Sequence, residues 1–157
     1  NHGGAISLYG NSSFTIDSGD FFNVVSHGFG GAIYAEDTDL NLEYCSFTNG
    51  TAVQGGFIYL KGGSIFNSVT PVTSASAEVG GCLMLVNISK IFLDSGNFEF
   101  CEASGYGGGI YISVPVGANV SANIAPMMFA NNVAYNGAAV ACCNETSTCD
   151  VLFDDSG

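Results

Sequence analysis

The nearest thing to a catalytic pair in this chain is Asp154-Asp155. Hydrolysis of a glycosidic bond needs two carboxyl groups facing the scissile bond. Adjacent residues of a strand point to opposite faces, so these two make a weak dyad. Eliminative cleavage of a uronate needs a cation to neutralise the carboxylate, and a base. The chain has no arginine, and its two lysines, Lys61 and Lys90, are far apart in sequence. His27 reads as a turn residue, and His2 lies beside the first residue. Glu36, Asp37 and Asp39 are a weak calcium candidate, because hard cations take clustered carboxylates, but an exposed acidic loop is the simpler reading. No catalytic constellation, cofactor or metal is expected, and the chain reads as a non-enzyme.

Modification chemistry has more support. Asn11, Asn49, Asn87, Asn119 and Asn144 each begin an Asn-x-Ser/Thr triplet, the acceptor pattern for N-glycosylation. Asn87 and Asn119 follow strand ends and should be exposed, whereas Asn49 can instead belong to a turn ladder. The cysteines are Cys45, Cys82, Cys101, Cys142, Cys143 and Cys149. An even count beside glycan acceptors points to an oxidising, extracellular or cell-surface setting. Cys143–Cys149 is the favoured bridge, closing a short loop around "NETST", because Cys142 occupies an inward position. A Cys82–Cys101 bridge and buried free thiols both fit the pattern equally well. No histidine lies near these cysteines in a zinc spacing.

The elements that must carry these residues are β-strands. The chain has 157 residues and a net charge of −12, with 14 acidic side chains. Such a charge repels nucleic-acid phosphates and anionic lipid, so neither is an expected partner. No apolar run approaches the length of a membrane-spanning helix. Helix formers are scarce, and Gly, Ser, Asn, Val, Ile and Phe are common, as in an all-β chain with many tight turns.

A glycine pair recurs at 3–4, 30–31, 55–56, 80–81 and 107–108, with Gly137-Ala138 as a degenerate sixth copy. The steps between copies run from 25 to 30 residues. Each pair is followed by a short apolar segment. Its second residue is Ile6, Ile33, Ile58, Leu83, Ile110 or Val140, and its fourth is Leu8, Ala35, Leu60, Leu85, Ile112 or Cys142. Both positions lie on one strand face. The residue between them, including Tyr34, Tyr59 and Tyr111, must point outward, which makes a candidate aromatic face for sugar or protein. A second match follows: "IDSGDF" at 16–21 returns as "LDSGNF" at 93–98, with "LEYCSF" at 42–47 as a looser copy. These place Phe21, Phe47 and Phe98 in one slot, which Phe129 fills in the fifth copy.

A period near 25 with two or three short strands fits one coil of a parallel β-helix. The expectation is a single right-handed β-helix domain over 1–157, with about six coils starting near 3, 30, 55, 80, 107 and 137 and the last one incomplete. The Ile/Leu and Phe ladders should fill its bore.

"GGAI" at 3–6 and at 30–33, "FTNGTAVQGGFI" at 47–58 and "FANNVAYNGAAV" at 129–140 resemble the repeats of the chlamydial polymorphic membrane proteins, which alternate Gly-Gly-Ala-Ile and Phe-x-x-Asn motifs. Phe129 and Asn132 have the motif spacing. Phe47-x-x-Gly50 and Phe98-x-x-Cys101 lack the asparagine, and no membrane-anchoring barrel is present. The resemblance implies a β-helical surface passenger or adhesin-like protein.

The chain opens at a glycine pair and closes at Asp155-Ser156-Gly157, matching the earlier "DSG" turns, with no polar cap at either end. Uncapped coils are unpaired sheet edges. The expectation is therefore a secreted, glycosylated structural protein. It would continue into a longer solenoid or stack end to end on copies of itself in a filament or surface stalk. The alternative is an adhesin-like module that holds carbohydrate or protein on the tyrosine face.

Overall fold

A computed structural model describes residues 2–63, 65–69, 71–93, 96–115, 120–124, 128–143 and 149–153. The chain folds as a parallel β-solenoid of about five turns. In chain order the strands are β1 (Ile6–Val25), β2 (Ile33–Thr51), β3 (Ile58–Lys61), β4 (Ile65–Val69), β5 (Val72–Val79), β6 (Leu83–Val86), β7 (Lys90–Leu93), β8 (Asn97–Tyr106), β9 (Ile110–Ser113), β10 (Val120–Ile124), β11 (Met128–Ala130), β12 (Val140–Cys143) and β13 (Cys149–Phe153). All their pairings are parallel.

Three faces result. The first stacks the start of β1 on the start of β2, then β3, β6, β9 and β12. The second continues from the middle of β2 through β4, β7, β10 and β13. The third runs from the end of β2 through β5, β8 and β11. β1 and β2 each contribute to all three faces: the first bend, at Gly10 and Asp37, carries a shift of register between Tyr9 and Ser12, and the later bends are single left-handed residues after which pairing resumes. Ser18 and Tyr44 bend one corner, and Asn23 and Asn49 another, all with φ between 51° and 66°.

The glycine pairs occupy the corner before the first face, and Gly55-Gly56 shows why. Gly55 is left-handed at φ 63°, where a side chain is strained. Gly56 is needed for a different reason: a Cβ there would collide with the carbonyl oxygen of Gly81 in the next rung. Backbone packs on backbone at this corner. The same contact links Gly31 to Gly56 and Gly81 to Gly108.

The inward ladders lie in register as expected. Ile6, Ile33, Ile58, Leu83, Ile110 and Val140 are successive partners. So are Phe21, Phe47, Val72, Phe98 and Phe129 on the third face. The third coil breaks the phenylalanine ladder with Val72, and the volume is restored from the opposite wall. Phe57, which stands where other coils have Ala5, Ala32 or Gly109, is fully buried. Its ring lies 5.5 Å from that of Phe47. Gly50 leaves it room, since a Cβ there would run into the ring.

This exchange predicts coupled energetics. Phe57→Ala should cost about 3–5 kcal/mol in urea unfolding. Val72→Phe alone should cost about 1–3 kcal/mol by overpacking. Combined, the two should cost clearly less than their sum, and strict additivity would refute the compensation.

Candidate functional site

The tyrosine ladder lies outside the bore, in register from Tyr34 to Tyr59 to Met84 to Tyr111. It is not the exposed face that alternation suggests. Tyr34 and Tyr59 are only 5 % and 8 % exposed. The reason is a second outer column formed by the residue before each glycine pair: His2, Phe29, Gln54, Val79 and Tyr106 are bridged in sequence along the axis. Phe29 and Val79 pack on the tyrosines, and the two columns make a small second core. The Tyr34 and Tyr59 rings stack at 5.6 Å, Phe29 lies 4.7 Å from Tyr59, and His2 covers Tyr34 at 4.8 Å. Tyr111 is half-buried beside Tyr106. The signal for this cover was weak, because the position preceding each glycine pair varies from His2 and Phe29 to Gln54, Val79 and Tyr106.

Glu36 ends this column. Tyr34 Oη donates to its carboxylate at 2.8 Å, and Lys61 Nζ to its other oxygen at 2.6 Å. The Lys61 hydrogen bond, then that from Tyr34, holds the Glu36 carboxyl below its usual range. These contacts involve the first residue of the weak calcium candidate. Glu36 is committed to Lys61 and Tyr34, Asp37 turns at a left-handed corner, and no group of three potential ligands gathers among the described residues.

Cys82 and Cys101 are joined by a disulfide across the bore, 19 residues apart in sequence. Cys45 is a buried free thiol whose Sγ donates to the Glu43 carbonyl at 3.4 Å, and burial pushes its pKa up. Cys142 is itself disulfide-bonded, which corrects the expectation that its inward place keeps it out of a bridge. Inward slots face one another across the bore, as the Cys82–Cys101 bond demonstrates. The side chains of Cys143 and Cys149 lie outside the described residues.

Among the glycan acceptors, Asn11 and Asn87 are exposed. Asn49 is also exposed, but its Nδ2 is donated to Asn23 Oδ1 in the turn ladder. Asn119, Asn144 and the Asp154-Asp155 pair lie outside the described residues. The asparagine of Phe129-x-x-Asn132 has a structural task. Its Oδ1 accepts from Cys101 N–H and its Nδ2 donates to the Phe98 carbonyl, both at 2.9 Å, so it clasps the neighbouring rung around left-handed Phe100.

The first rung is the most open surface. Among the described residues β1 pairs only with β2, and its inward Ile6, Leu8, Ile16, Phe21 and Val24 are only partly buried against the core. Phe14 is 38 % exposed, although its register partner Leu40 is fully enclosed. These features define an all-β protein built as a parallel β-solenoid. No protein family, curated protein or solved structure matches the chain.

The buried phenols set a pH dependence. Burial is the first cause raising the Tyr34 and Tyr59 pKa values, and the Glu36 carboxylate adds to it. A phenol raised in the folded state favours folding fully below the unfolded value near 10, and this contribution is lost as pH rises past it. The melting temperature should fall more steeply between about pH 10 and 11.5 for the native chain than for a Tyr34→Phe/Tyr59→Phe variant. Equal slopes would contradict the burial of these phenols.

Proposed function

We propose that the protein is a secreted, glycosylated structural β-solenoid, a subunit or segment of an extracellular filament or surface stalk. A further parallel rung covers β1. The observation that supports this reading is β1: among the described residues its 20 residues of strand pair with β2 alone, and its core-type side chains are partly open. A parallel edge of this length is a template for another strand. A rung added in register would complete the Ile6, Phe14 and Phe21 ladders, much as β2 does from the other side. Association of the β1 end of one copy with the opposite end of the next is heterologous, does not close and grows a fibre. The Cys82–Cys101 bond and the exposed Asn11 and Asn87 acceptors suit an oxidising, extracellular setting. The motif resemblance to chlamydial surface passengers supports a surface role in the same way.

The adhesin reading loses the feature that motivated it, because the tyrosine column is enclosed by Phe29 and Val79.

Negative-stain microscopy of native material tests the proposal. Unbranched rods that lengthen with concentration are expected, with glycopeptides at Asn11 and Asn87 but an unmodified Asn49. Discrete short particles at every concentration would sink the filament reading.

A further inference from the structure

We propose that the third face carries a binding groove for a non-acidic glycan chain, running along the solenoid axis with Phe100 as its stacking platform. The groove crosses β2, β5 and β8. One section, about 220 Å³, is bounded by Asn49, Ser74 and Phe100. It continues past Ser76 and Glu102 into a section of about 410 Å³ flanked by Glu78 and Ser104.

Its shape comes from register. Thr51, Ser76 and Glu102 are successive partners and form an exposed polar column. Beside it, Ala52, Ala77 and Ala103 form a column of methyl groups, each 6–8 % exposed. Larger side chains there would fill the channel. The result is a narrow apolar floor between polar rims, repeating about every 4.8 Å from rung to rung. A pyranose chain has the same two-sided character, with apolar C–H faces and hydroxyls around the ring edge.

Phe100, like Tyr44, is an aromatic that packing does not explain, and of the two Phe100 lines the groove. It belongs to the left-handed corner column of Asn23, Asn49, Ser74 and Asn131, where asparagine and serine are the natural occupants. A bulky residue at φ 54° is strained. Yet it gains little burial in return, being 49 % exposed at the groove wall. A strained, open aromatic beside a polar channel is where a sugar ring stacks.

The ligand class follows from charge and topology. Glu78 and Glu102 flank the groove, no lysine lines it, and the chain carries −12 overall, so uronates and sulfated glycans are repelled. A peptide adding as a strand needs an open sheet edge. Here the backbone edges of Thr51, Ser76 and Glu102 are already paired with one another. The groove is distinct from the β1 edge, so the proposal stands independently of the filament reading.

The test is a calorimetric titration of the intact chain with cellohexaose, xylohexaose, chitohexaose and its de-N-acetylated form, with hexagalacturonate as the acidic probe. Binding of at least one non-acidic hexamer is expected, and none of hexagalacturonate. Phe100→Asn restores the favoured corner residue, so it should melt at or above the native temperature while binding about tenfold more weakly. Tyr44→Ser, at an equivalent left-handed aromatic that does not line the groove, should bind as the native chain does. Failure of all four hexamers to bind, native-like affinity in Phe100→Asn, or a preference for hexagalacturonate or a lysine-rich peptide would overturn the proposal.

Discussion

The carbonyl oxygen of Gly81 occupies the space in which Gly56 would carry a Cβ, and the same contact repeats from rung to rung at this corner. This backbone-on-backbone approach is the constraint on which the rest depends. Parallel strands pair at about 4.8 Å only if nothing holds the corners apart. Once the corners close, every side chain must stack on the residue in its own slot one rung away. Inward slots then have to be apolar and of matched volume, and outward slots become columns of like residues. The bore, the tyrosine column and the alanine channel all follow from this one restriction.

The inward ladders were legible because they repeat. A glycine pair found five times with a degenerate sixth copy, each followed by two apolar alternations, left few folds to consider, and the register of Ile6 through Val140 agrees with the spacing. Departures from the repeat were harder to read, since they express contacts between different slots. Val72 in the phenylalanine slot makes sense only when Phe57 is known to lean over Gly50. The tyrosines were placed correctly outside the bore, yet their burial depends on Phe29 and Val79 in a neighbouring column, which alternation within one strand cannot reveal. For the same reason the Cys82–Cys101 bond was one of two readings. Their slots face each other only after the coil has closed.

Charge shapes what such a solenoid can do. In the proposed filament, fourteen acidic side chains against two lysines would keep long stacks apart laterally and resist precipitation. The inward surface of β1 is by contrast apolar, so axial contact is favoured while sideways contact is not. Salt screens the lateral repulsion within about 10 Å at 0.1 M, and should thicken bundles more than it lengthens rods.

The claim that the β1 edge is the assembly surface is most directly tested by amide hydrogen exchange on β1 as a function of concentration. Alternate N–H groups of Ile6–Val25 point away from β2. The account predicts that these exchange rapidly in dilute protein and become protected in concentrated native material, while amides directed at β2 change little. Equal, rapid exchange of the outward set at all concentrations would contradict it.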